Sequence, residues 1–286
     1  MNVHHFISSD GVRLAYEEFG AGNSGTPLVL CHGIAVNGLQ FHADAAWFAA
    51  RGHRVLVPHL RGHGLSDSPV PVSRETLTLA RLAADLVEML DDAGAGKVHW
   101  VGNSLGGIVA LEMLKAGRFA TLATFGTSYS IKLPTVGAQV FVPIWHRALG
   151  REAAAGVTAH FTSTESDARR MISLMLRDMR VDVVTKLAAN LTWFDLIEAG
   201  TSATLPILLI YCGRDRLVNF ALWETLRKMR GKPNFHRVDL PTAGHCANLE
   251  VPDEVRAALV EFWAGTPGGP SPGATRHPLP RGARGR

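Results

Sequence analysis

Lys97-Val98-His99-Trp100-Val101-Gly102-Asn103-Ser104-Leu105-Gly106-Gly107-Ile108-Val109-Ala110-Leu111 is the stretch on which the reading of this chain turns. Val98, Trp100 and Val101 suit a buried strand, whereas Ile108, Leu111 and Leu114 recur at helical spacing. Between the two runs lies Gly102-Asn103-Ser104-Leu105-Gly106, so the strand has to become a helix almost at once. A turn this sharp strains the backbone of Ser104. Side chains at 102 and 106 would collide with the neighbouring strand and helix, which is why glycine stands at both. The Ser104 hydroxyl is thereby set at a helix N-terminus, where free N–H groups and the helix dipole favour negative charge.

On either side of this stretch, strands and helices alternate. Val3–Ser8 and Val12–Phe19 flank a Ser9-Asp10-Gly11 turn and read as a hairpin. Pro27-Leu28-Val29-Leu30-Cys31 is a continuous apolar run, as a strand buried on both faces requires, and it ends in His32-Gly33-Ile34. A helix is expected at about 38–50, a strand at 54–58, a helix over 77–90 and, after the central stretch, a strand at 122–125. Residues 130–200 break the rhythm, because Met171, Leu174, Met175 and Met179 have helical period and strand-like runs are scarce. The alternation resumes with strands at 206–212 and 235–240 and helices at about 219–230 and 253–263. These elements predict an α/β fold with a mostly parallel central sheet flanked by helices. The expected organisation is a core of 1–129 and 203–265, a helical insertion at 130–202 and a tail at 266–286.

Composition narrows the classes. The chain has 286 residues, 47% hydrophobic and 19% charged, which suits a compact enzyme with a large core. No run reaches the roughly 20 apolar residues of a membrane span, and Met1–Phe6 lacks the pattern of a signal peptide, so a cytoplasmic protein is expected. The net charge of +4 arises in the tail, where Arg276, Arg281, Arg284 and Arg286 face no acid. Rich in Gly and Pro, this tail reads as disordered. The remainder carries no basic signature, so neither nucleic acid nor membrane is an expected partner; a small-molecule substrate is. Cys31, Cys212 and Cys246 form no metal or disulfide spacing. The first two read as core residues and Cys246 as a pocket-lining one.

A nucleophilic serine needs a base, and the base needs an acid to orient it. Functional side chains of a parallel sheet gather at the carboxyl ends of its strands, and three loops placed there offer Ser104, Asp215 and His245 in that order. The matching segments are His32-Gly33, Arg61-Gly62-His63-Gly64-Leu65-Ser66, Gly102–Gly107, Gly213-Arg214-Asp215 and Gly244-His245. Over residues 3–264 the chain resembles the α/β-hydrolase fold superfamily, in the branch with a serine nucleophile and a helical lid. The resemblance implies Ser104 as nucleophile, His245 as general base and then acid, and Asp215 as the carboxylate that orients it. It implies an oxyanion hole from the backbone N–H groups of Ile34 and Leu105, and no cofactor or metal. It also implies a supporting role for His63 in the floor of the site. His53, His99 and His236 read as structural. The chain departs from the family at His59, where an aspartate is usual.

Serine at 104 disfavours relatives that open epoxides or cleave carbon–halogen bonds, which place aspartate there. Among serine-using relatives, the Gly-Asn-Ser-Leu-Gly-Gly turn resembles C–C bond hydrolases of ring-cleavage products. Those usually carry an aromatic residue where this chain has Cys246, and a more glycine-rich loop than Ile34-Ala35-Val36. The ending Gly244–Glu250 resembles enol-lactonases and esterases. The expected reaction is hydrolysis of a small carboxylic ester or lactone through an acyl-enzyme. The alternatives are C–C bond hydrolysis by the same residues, or a ligand receptor with little turnover. The substrate and the oligomeric state stay open. Deleting residues 266–286 is expected to leave Tm and activity nearly unchanged, since the tail has few apolar residues with which to dock. A differential scanning fluorimetry melt lowered by many degrees in the truncated chain would contradict this.

Overall fold

The structure is a computed structural model that describes residues 1–132 and 136–266. The tail, apart from Thr266, therefore lies outside the described residues. An eight-stranded sheet forms the centre: β1 (Asn2–Ile7), β2 (Arg13–Phe19), β3 (Leu28–Cys31), β4 (Val55–His59), β5 (Val98–Asn103), β6 (Phe119–Phe125), β9 (Ile207–Cys212) and β10 (Phe235–Leu240). In space their order is β1-β2-β4-β3-β5-β6-β9-β10. The first two strands pair antiparallel, as the hairpin reading requires, and β2 pairs antiparallel with β4. From β4 to β10 every pairing is parallel.

Period-two alternation divides the sheet between two cores. Val29, Cys31, Val98, Trp100, Ile207 and Leu209 face the side covered by α2 (Leu79–Asp92) and α3 (Leu105–Met113). Leu28, Leu30, Val101, Leu208 and Ile210 face the other side, covered by α1 (His42–Ala49) and α10 (Pro252–Ala264), where Phe48 and Trp263 meet edge-on. Burial on both faces explains why these strands read as unbroken apolar runs.

Between β6 and β9 the chain is mainly helical. It forms α4 (Val136–Thr162), broken at Gly150 by a non-helical φ of 76°, then α5 (Ser166–Arg177), α6 (Val181–Asn190) and α7 (Ile197–Ser202). The sequence misses a short antiparallel pair within this segment, β7 (Ser130–Lys132) and β8 (Trp193–Asp195). At three residues each, they are too short to show a period. The helix at 219–229 is α8 (Asn219–Met229), and a short α9 (Ala247–Glu250) precedes α10. Of the large apolar residues in this segment, Met175 and Phe194 are buried, while Trp145, Phe161, Met171, Leu174 and Trp193 are exposed. Ala155, Ala159, Ile172 and Met175 pack on Val36, after β3, and on Cys246, after β10. The inserted helices thus rest on two of the loops the sequence singles out. No described helix is long and apolar enough to cross a membrane.

Arg61 anchors the loop after β4. Its guanidinium is fully buried and donates to both oxygens of Asp85, at 2.5 and 2.6 Å, and to both of Asp10, at 2.9 and 3.0 Å. It thereby joins the β1–β2 turn to α2. Removing one member of a buried pair strands the other's charge, which costs about 3–5 kcal/mol. Arg61→Gln is therefore expected to lower Tm by roughly 10 °C. A melt within a degree or two of wild type would show that Asp10 and Asp85 need no cation.

Candidate active site

At the carboxyl end of β5, Ser104 occupies φ 50°, ψ −117°, and α3 starts at the next residue. Glycine is required around it because a side chain at Gly102 would run into the backbone of Gly106 and Gly107, and one at Gly106 into the carbonyl end of β3. Gly33, in the loop after β3, packs so tightly on this turn that a Cβ there would stand 3.2 Å from Ser104 Cβ. The loop after β3 and the serine turn are therefore in direct contact.

Asp215, after β9, and His245, after β10, come together as the sequence suggests. His245 Nδ1 lies 2.9 Å from Asp215 Oδ2. Asp215 is 2% exposed, and its other oxygen accepts the N–H groups of Leu217 and Val218 at 2.9 and 3.2 Å. This carboxyl group is thus buried and held at both oxygens, with Oδ2 facing the imidazole. The His245 loop is tied to the serine turn from behind: Asn103 Nδ2 donates to the His245 carbonyl at 2.9 Å and to that of Phe125 at 3.2 Å.

Two further contacts escaped the sequence reading. Gly126 (φ 56°) leaves room for the histidine loop, since a Cβ there would stand 2.8 Å from the His245 carbonyl oxygen and 3.1 Å from Nδ1. Glu250 Oε2 accepts the Gly244 N–H at 2.8 Å and closes the loop from its far side. A glycine directly after the end of β6 was the available signal for the first; nothing local marks the second.

Among the described residues, the N–H groups of Ile34 and Leu105 have no hydrogen-bond partner. The following amide does: Ala35, at φ 67°, donates to His63 Nε2 at 3.3 Å. His63 Nδ1 in turn donates to the Arg61 carbonyl at 3.0 Å. His32 is arranged alike, with Nδ1 on the Gly33 carbonyl at 2.7 Å and Nε2 accepting the Leu60 N–H at 3.1 Å. Each ring has one carbonyl and one amide as partners, so each is neutral. Burial holds His32 well below the usual histidine range and pushes His63 down to about 4.

At the departure from the family pattern, His59 Nε2 donates to Glu17 Oε2 at 3.2 Å and Nδ1 accepts the Leu65 N–H at 3.3 Å. Imidazole and carboxylate together thus support this loop. Cys246 is buried against the inserted helices, and burial pushes its thiol far above the usual range, so it offers no thiolate. Cys31 and Cys212 are buried as expected. No group of three His, Cys, Asp or Glu among the described residues is arranged to hold a metal ion.

The model of the alpha/beta hydrolase family matches residues 28–258. The chain belongs to that family. It is 26% identical to epoxide hydrolase A of Mycobacterium tuberculosis over 92% of its own length and 98% of that protein. It is 29% identical to the 2-hydroxy-6-oxononadienedioate/2-hydroxy-6-oxononatrienedioate hydrolase of Burkholderia vietnamiensis, over 90% and 93% of the two chains. A crystal structure of a hydrolase from Pseudomonas aeruginosa superposes with a TM-score of 0.76 at 25% identity, covering 93% of this chain and 99% of that one. These likenesses show a hydrolase-type enzyme in an α/β-hydrolase fold.

The neutral imidazole of His63 has a consequence for stability. Its pKa is near 6.5 in an unfolded chain and about 4 when folded, so below pH 6.5 the unfolded state takes up the proton first. Stability present at pH 7 is therefore lost as pH falls from about 6.5 to 4, by roughly 3 kcal/mol for this residue alone. His63→Gln should flatten the dependence of Tm on pH in this window. An unchanged slope would mean that His63 titrates normally.

Proposed function

We propose that this α/β-hydrolase is a serine hydrolase that cleaves a small carboxylic ester or lactone through an acyl-enzyme. The observation that carries the reading is the strained backbone of Ser104 at the end of β5, with His245 held by Asp215 at the same sheet edge. His245 takes the Ser104 proton as Oγ attacks the carbonyl carbon. The negative oxygen that forms is received by the N–H groups of Ile34 and Leu105. Protonated His245, stabilised by Asp215, then gives its proton to the leaving alkoxide, and the C–O bond breaks. Water repeats the sequence on the acyl group and restores Ser104. In a lactone, the leaving alkoxide stays attached to the acyl chain.

Opening an epoxide through an ester intermediate would require a carboxylate at position 104, and the chain has a hydroxyl there. A second reading is C–C bond hydrolysis of a vinylogous diketone by the same residues. It is favoured by the 29% identity over nearly the full length of the Burkholderia relative. We assign residues 130–202 the role of a lid, on the packing of α4 and α5 against Val36 and Cys246.

Steady-state kinetics with p-nitrophenyl esters and lactones test the reading. Ser104→Ala and His245→Ala should each lower kcat by about 10⁴–10⁶, with little further loss on combination, since the two act as one unit. Asp215→Asn should cost about 10³–10⁴, because the amide no longer selects the histidine tautomer that accepts a proton. Ester hydrolysis unchanged in Ser104→Ala would overturn the mechanism. Turnover of a 2-hydroxy-6-oxo-dienoate far above that of any ester would select the second reading.

A further inference from the structure

Behind the serine turn lies a buried network of side-chain amides that the catalytic reading does not use. Gln40, between β3 and α1, is 1% exposed, as is Asn103; Asn248, on α9, is 3% exposed. Gln40 Oε1 accepts the Gly33 N–H at 3.3 Å, while Nε2 donates to Asn103 Oδ1 at 2.9 Å and to Asn248 Oδ1 at 3.1 Å. Asn248 Nδ2 donates to the Gln40 carbonyl at 2.8 Å and to Asp44 Oδ2 at 2.9 Å, and Asp44 Oδ1 receives Arg256 Nε at 2.8 Å.

Each amide has one self-consistent orientation. Asn103 cannot flip, because its Nδ2 serves the carbonyls of Phe125 and His245. Its Oδ1 therefore needs a donor, and Gln40 Nε2 is that donor. With Nε2 committed, Oε1 faces the Gly33 N–H. One side chain thus links the peptide beside the Ile34 amide, the residue before Ser104 and the loop that carries His245. Burial strengthens these bonds and makes each expensive to break.

Resting on the acyl-enzyme reading above, we infer that Gln40 is a positioning residue that holds the oxyanion loop, the serine turn and the histidine loop in register through Gly33, Asn103 and Asn248. It touches no reacting atom. Its effect falls on the transition state, because small displacements of catalytic groups cost rate far more than they cost ground-state binding.

Two near-isosteric variants test this. Gln40→Met removes all three bonds made by the side-chain amide. In Gln40→Glu, a protonated carboxyl can still accept from Gly33 and donate to Asn103, whereas an ionised one has no donor. Titratable and charged groups near the position are Asp44 and Arg256, reached through Asn248, Glu17 with His42 and His59 beside Gly38 on the same turn, neutral His32 in the preceding loop, and His245 beyond Asn103. Active sites are counted by fluorophosphonate incorporation, and kcat and KM for a p-nitrophenyl ester are expressed per active site. Gln40→Met should lose about 10–100-fold in kcat, with KM within about threefold of wild type. Affinity for a boronic acid, which forms a tetrahedral adduct on serine, should weaken by a similar factor. For Gln40→Glu, the ratio of its kcat to that of wild type should fall as pH rises. The inference is overturned if kcat per active site stays within twofold of wild type in both variants with a pH-independent ratio, if the only change is fewer active sites or a lower Tm, or if neither variant folds. A wild-type enzyme that takes up neither fluorophosphonate nor boronic acid would overturn the acyl-enzyme reading, and this inference with it.

Discussion

The left-handed backbone at Ser104 is the constraint on which the rest of the site depends. A serine has no intrinsic reason to adopt φ 50°, and the conformation persists only because its surroundings leave no alternative. β5 must end where α3 begins, and the carbonyl end of β3 presses on Gly106. Because Gly33 packs on Ser104 itself, the position of the serine also sets that of the loop that offers the Ile34 amide. Strain at one residue is thus held by the buried parallel sheet, the most cooperative part of the molecule.

A second layer keeps this geometry without placing charge beneath it. His32 and His63 are buried, neutral, and each bonded to one amide and one carbonyl. Burial keeps both rings uncharged at neutral pH. Arg61, which does carry charge, is matched by Asp10 and Asp85. The Glu17–His59 contact supports the same loop.

The parts of this arrangement that were legible in the sequence are those dictated by local sterics or by periodicity. Gly102 and Gly106 announce the turn, and unbroken apolar runs announce strands covered on both faces. The order Ser104, Asp215, His245 follows from loops at the ends of parallel strands. Contacts between residues far apart in the chain leave no such trace. Gln40 and Asn248 are separated by 208 positions and look like ordinary polar residues until the fold joins them. Gly126 resembles any loop glycine, although a side chain there would meet His245. The three-residue strands β7 and β8 are too short to carry a pattern, and the packing of α5 on Cys246 depends on tertiary geometry alone.

The account turns on Ser104 Oγ being the atom that is acylated, while the buried thiol of Cys246 stays inert. Intact-protein mass spectrometry after treatment with a fluorophosphonate, followed by peptide mapping, examines this directly. The account predicts a single phosphonyl adduct on Ser104 in the wild-type protein and none in Ser104→Ala. An adduct on Cys246 or any other residue, or no adduct on the folded wild-type chain, would contradict it.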